Sequence, residues 1–118
     1  MSRKNKNLGD WGEDQACNFL RRHGFNIVER NYHTTMGEID IIATKGDDYY
    51  FIEVKTRKNS ELATDDSITY SKKRKLLKTI RAYCYARNIG EKSIVPAGLI
   101  LEVKQAEKKL SFRFCVIS

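Results

Sequence analysis

Asp40, Glu53 and Lys55 are the residues whose types and spacing can do chemistry. Asp40 stands inside an apolar run, Glu38-Ile39-Asp40-Ile41-Ile42, and Glu53-Val54-Lys55 follows the aromatic start Tyr49-Tyr50-Phe51 of a second run. Side chains on a strand alternate between faces. Glu38 and Asp40 are therefore expected on one face, with Ile39 and Ile41 on the other. Glu53 and Lys55 are expected beside Phe51, with Ile52 and Val54 pointing away. Lys45-Gly46-Asp47-Asp48 between the runs has hairpin-turn chemistry. Such a hairpin brings two carboxylates and an ammonium together, a set suited to a hard, oxygen-loving cation. The tripeptide alone is weak evidence, because it recurs at Glu102-Val103-Lys104, where alternating charges on a solvated strand explain it. The acid inside the preceding apolar run sets the first copy apart.

The elements that must position these residues are legible on both sides. Residues 1–8 read as a polar, basic arm and 9–118 as one domain. Asp10-Trp11-Gly12-Glu13 has the form of a helix start, with Asp10 as cap. Ala16, Phe19, Leu20 and His23 follow at helical spacing, which predicts a helix over 10–23, ended by Gly24. Strands are expected over 25–32, 37–44 and 49–57. Residues 58–69 are polar and read as a functional loop. Leu76, Leu77, Ile80, Tyr83 and Cys84 mark the apolar stripe of a second helix over 70–88, and strands over 94–103 and 110–117 complete the chain. Pro96 implies that the fourth strand starts late or lies at an edge there. The order is helix, three strands, helix, two strands: an α/β protein with a mixed central sheet flanked by helices.

Charge points to the partner. The 118 residues hold 22 Lys+Arg and 15 Asp+Glu, a net charge of +7. Residues 70–88 carry seven of those cations (Lys72, Lys73, Arg74, Lys75, Lys78, Arg81 and Arg87) and no acid. Removing them leaves 15 basic and 15 acidic residues, so the whole excess belongs to one helix. That placement fits a polyanion, most simply nucleic acid, although a solvated basic face is the plainer explanation. No apolar run approaches the roughly 18 residues of a membrane span, and no apolar segment follows the basic start to make it a secretory signal. Cys17, Cys84 and Cys115 are odd in number and outside any Cys-x-x-Cys pattern. This argues against disulfides or zinc and for a reducing, cytoplasmic setting, with Cys17 and Cys84 as small buried hydrophobes. His23 and His33 have no partner at metal-ligand spacing, so a catalytic imidazole is not expected.

Gly12-Glu13-x-x-Ala16, Gly24-Phe25, Gly37-Glu38-Ile39-Asp40, Phe51-Ile52-Glu53-Val54-Lys55-x-Arg57 and Lys72 also fall in the order and spacing of one family. Over residues 9–88 the chain resembles the bacterial YraN-type, Holliday-junction-resolvase-like proteins of the PD-(D/E)XK nuclease superfamily. The resemblance implies a restriction-endonuclease-like αβββαβ core and divalent-metal-dependent cleavage of a nucleic-acid phosphodiester. It implies that Asp40 and Glu53 hold Mg²⁺ or Mn²⁺, which polarises the scissile phosphate and activates a water. Lys55 would orient that water and stabilise the developing charge, and act as general base only second.

Glu13 has two readings: a capping-box acid, or the additional metal-site acid that related resolvases place on the first helix. Glu38 is an outer ligand or a solvent-facing acid. Lys72 matches the family's phosphate-contacting lysine, whereas periodicity favours Lys73. Lys75 and Arg57 are further candidates for the nucleic-acid backbone. One departure stands out: Pro96-Ala97-Gly98 occupies the place of the family's usual Arg-x-Asp. The resemblance also implies a homodimer. The leading expectation is thus a metal-dependent endonuclease, structure-selective for branched or single-stranded DNA; the runner-up is a nucleic-acid-binding module that keeps the fold without cutting. A third, a protein-interaction domain using Tyr49-Tyr50-Phe51, rests on exposed-patch logic alone.

Overall fold

The computed structural model describes residues 8–58, 70–90 and 93–117. Helix α1 (Leu8–Arg22) is followed by β1 (Asn26–Thr34), β2 (Gly37–Lys45) and β3 (Asp48–Lys58), then α2 (Tyr70–Arg87), β4 (Ile94–Lys104) and β5 (Lys109–Val116). This is the expected order, and most boundaries fall within a residue or two of the sequence reading. Residues 1–7 of the basic arm and 59–69 of the polar loop lie outside the described residues. Leu8, read as part of the arm, is the first residue of α1. The helix consequently starts before Asp10, which sits in its first turn rather than capping it.

The strands form one sheet in the order β1-β2-β3-β4-β5, antiparallel throughout except for β3 beside β4, which are parallel. The parallel pair requires a crossover, and α2 supplies it. The result is a mixed α/β sheet with one helix on each face, compatible with a restriction-endonuclease-like αβββαβ core. No helix among the described residues is long and apolar enough to cross a membrane.

Each face has its own core. Ala16, Cys17 and Leu20 of α1 pack on Ile41, Ala43, Ile52, Ala97 and Leu99. Leu76, Ile80, Tyr83 and Cys84 of α2 pack on Ile39, Ile42 and Phe51. Cys17 and Cys84 are buried in these layers as expected, while Cys115 is exposed.

Pro96 corrects an expectation. The strand β4 begins early, at Ile94, and runs through the sheet interior between β3 and β5. The Pro96 carbonyl accepts from the Ile117 N–H at 2.9 Å, one residue past the end of β5. Because N and O of a strand residue point the same way, the donor that proline lacks falls at the last rung of that ladder. An interior proline is tolerated there.

Strand alternation also fails at one point, against expectation. Ile39 joins the core under α2, whereas Ile41, two residues on, joins the core under α1. The neighbouring strand changes phase at the same level. Arg30, paired with Ile41, reaches the α1 side, and Tyr32, paired with Ile39, packs on the α2 side. Between them Asn31 adopts φ +53°, a left-handed conformation that asparagine tolerates better than most residues. The register puts Asn31 opposite Asp40. The phase change therefore falls on the half-buried acid of the strand.

Candidate active site

Asp40 sits where β2 and β3 separate. Their ladder runs from Lys45–Asp48 to Ile41–Ile52 and goes no further. Beyond it the Asp40 carboxylate takes over the bond: Val54 N–H donates to Asp40 Oδ2 at 2.8 Å. Burial is the main cause that pushes the Asp40 carboxyl up, to about 6, with Glu13, Glu53 and Glu38 adding to it in that order. The Val54 N–H acts the other way and does not win. A carboxylate held against three others competes strongly for any positive charge that reaches it.

Glu13 reaches this cluster because α1 lies unusually close to β3. A Cβ on Gly12 would collide with Thr56 Oγ1, so only glycine lets the helix approach. Glu13 is 9% exposed and accepts from Arg30 Nε at 3.3 Å and Nη2 at 3.1 Å; Nη2 also donates to Asp14 at 2.8 Å. Its partner is thus a guanidinium rather than the helix start, and the capping-box reading falls with the Asp10 cap. Arg30 was not singled out by sequence, since its role depends on the phase change at Asn31.

Glu53 faces the α2 side. It shares a cleft of about 490 Å³ with Glu38, His33, Lys72 and Lys75. Gly37 sets the width of this cleft, because a Cβ there would come within 2.8 Å of Thr79 Oγ1 on α2. Of the two lysines that the readings divided, Lys72 lines the cleft together with Lys75; Lys73 is half-buried on the other flank of the helix. Lys55 is half-buried two residues beyond Glu53, and Arg57 lies farther along β3, opposite Glu102 of β4. Gly98, the last residue of the departing Pro96-Ala97-Gly98, pairs with Glu53 across the parallel ladder.

His33 is the cleft residue that sequence reasoning missed. Its Nδ1 lies 3.2 Å from Glu38 Oε1, and the β1–β2 register places the two residues opposite one another. The signal was the short Thr35-Met36 connection, which fixes that register by turn length alone.

Among the described residues no three acid, His or Cys side chains close around a point as a metal cage. Asp40, Glu53, Glu38 and Glu13 offer carboxylate oxygens, however, and Mg²⁺ is commonly held by one or two carboxylates with water and phosphate completing the shell. Asp40 and Glu53 fit that pattern, with Asp40 Oδ2 already occupied by the Val54 N–H.

Fold and cleft define a class: a mixed α/β protein in which Glu38 and Glu53 of the sheet share a cleft with lysines on a crossover helix, while Asp40 sits at the strand divergence outside that cleft lining. The chain belongs to the uncharacterised protein family UPF0102, whose family model matches residues 12–118. A UPF0102 protein of Dictyoglomus turgidum is 41% identical over 91 residues, 76% of this chain and 77% of the relative. One from Clostridium perfringens is 39% identical over 90 residues, covering 75% and 74%. One from Alkaliphilus oremlandii is 36% identical over 106 residues, covering 89% and 91%. The matched span begins at Gly12 and includes every site residue named above.

Proposed function

We propose that the protein is a divalent-metal-dependent endonuclease of the PD-(D/E)XK kind, acting on branched or single-stranded DNA. The observation that carries this reading is Asp40: a strand acid at the point of β2–β3 divergence, its carboxyl pushed up to about 6 beside Glu13, Glu53 and Glu38. A structural acid gains nothing from that surrounding; a metal ligand does. Asp40 and Glu53 would hold Mg²⁺ or Mn²⁺, which would polarise the scissile phosphate and lower the pKa of a bound water. Lys72 and Lys75 grip the phosphate backbone from the opposite wall of the cleft. Lys55 orients the attacking water and offsets charge that develops on the phosphate. Glu13 tunes Asp40 and is itself steadied by Arg30.

A second reading, a binding module without cleavage, is favoured by two observations. Glu13 is engaged by Arg30, and Gly98 stands beside Glu53 where a charged residue is usual in the resembled family. One experiment separates the two. Linear, flap, four-way and single-stranded DNA are incubated with protein under Mg²⁺ or Mn²⁺, alongside Glu53→Gln. Products that need metal and vanish in the variant support the enzyme. Binding to all substrates with no cleavage, alike in both proteins, establishes the module instead.

A further inference from the structure

The cations of α2 do not all serve the cleft. Lys72 and Lys75 line it, and Arg87 is turned inward, its guanidinium 4.4 Å from the Tyr83 ring and 3.2 Å from Glu29. Arg74, Lys78 and Arg81 face elsewhere. With Tyr85 they follow i, i+4, i+7, i+11 spacing, which draws a single stripe along the helix, opposite the buried stripe of Leu76, Ile80 and Tyr83. All four are exposed, and Tyr85 is 91% exposed, the largest value among the exposed large hydrophobic residues. Tyr85 also lines a second groove of about 290 Å³, together with the apolar Cys84, Ile89 and Ile94 and the cationic Arg81.

We propose that this outer face of α2 is a track for single-stranded nucleic acid, with an unstacked base received by Tyr85 and the groove beside it. Three features commit the surface to that occupant. The stripe is purely cationic, so it follows a polyanion. It ends on an aromatic ring, and base–aromatic stacking is how single strands are held without sequence preference. The groove combines apolar lining with Arg81, which suits a flat heteroaromatic ring attached to a phosphate. A base paired in a duplex cannot reach such a ring, so the track selects strands that are already open. Lys75 and Tyr85 are ten residues apart, roughly 15 Å along the helix axis, so one strand of a few nucleotides can span cleft and groove. The inference deepens the nuclease reading by naming the substrate's form, and it rests on that reading only for the link to cleavage.

Binding is measured in chelator by anisotropy of a labelled oligothymidylate of about 12 nucleotides, beside a blunt duplex of equal length. Tyr85→Ala is expected to weaken oligothymidylate binding roughly 5- to 100-fold and leave the duplex unchanged, while Tyr85→Phe, which keeps the ring, stays near wild type. Lys78→Gln with Arg81→Gln should reduce the salt slope for the single strand by about 1.4. Equal oligothymidylate binding by wild type and Tyr85→Ala overturns the track, as does equal loss in Tyr85→Ala and Tyr85→Phe. Vesicles of phosphatidylserine bound through Lys78 and Arg81, with oligothymidylate indifferent to both, overturn it in favour of a lipid surface. Metal-dependent cleavage alongside binding that ignores Tyr85 removes the track alone. Tyr85-dependent binding with no cleavage of any substrate removes the nuclease reading and keeps the track.

Discussion

Helices α1 and α2 cover opposite faces of one sheet and handle charge in opposite ways. Helix α1 brings Glu13 inward to a buried position and matches it with Arg30 from β1. Helix α2 keeps most of its cations on the outside and sends only Lys72 and Lys75 toward an acidic wall. Burying a charge requires a partner, because desolvation otherwise outweighs any gain. Charge on a solvated face keeps its hydration and needs no buried partner to be tolerated. On the proposed reading, the first helix helps build the site and the second presents it to an anionic substrate.

The largest test of that division is chemical. On the nuclease reading, Asp40→Asn and Glu53→Gln should each lower cleavage by about 10³-fold in gel assays, since each would remove a metal-ligand charge worth several kcal/mol. Neutralising Lys72 and Lys75 should leave catalysis at saturating DNA and raise KM. Comparable losses in both pairs would erase the distinction between building and presenting.

The next test turns on pH. Asp40 takes up its proton near 6 in the folded protein and near 3.8 when unfolded. Between those values the native state binds more protons, so stability falls as pH rises from about 4 through 6 and is flat above. The loss is on the order of 3 kcal/mol for a shift of this size. Urea denaturation of Asp40→Asn should accordingly show a gain of about 2 kcal/mol at pH 8 and none at pH 4. A cation that occupies the site should restore the same stability to the wild type, so its Tm at pH 8 should rise with Mg²⁺.

Smaller effects probe the supports. Gly12→Ala should cost about 1–3 kcal/mol from the collision with Thr56, despite alanine's better helix propensity, and Thr56→Ala should recover part of it in the double variant. Arg30→Met should cost about 1–2 kcal/mol in chemical denaturation, because Glu13 is left buried while Arg30 itself is only half-buried. If Arg30→Met were neutral, the inward charge of α1 would not depend on its partner.

Element order and most boundaries were legible in the sequence because they rest on local signals: periodicity and turn residues. What was not legible depends on relations between strands. The phase change at Asn31 and Asp40 cannot be seen in either strand alone, since each reads as regular alternation. With it went the Arg30–Glu13 pair and the true faces of Ile39 and Ile41. His33 was set aside because it has no ligand-spaced neighbour along the chain; its partner Glu38 faces it across a hairpin. Pro96 was misplaced for the same reason, as the harmlessness of its missing donor is decided by where β5 stops. Lys72 and Lys73 differed by one position, and only the docking of α2 on Gly37 determined which lysine borders the cleft.

The bond from Val54 to Asp40 gives the molecule a built-in reporter. A backbone amide that donates to a carboxylate feels every change in that carboxylate's charge, so its nuclear resonance should move when Asp40 is protonated or a cation arrives. No neighbouring amide of β3 that bonds to a plain carbonyl has that sensitivity. One peak in a ¹⁵N spectrum, followed through titrations of acid and of Mg²⁺, reads the occupancy of the site in solution without any substrate being cut.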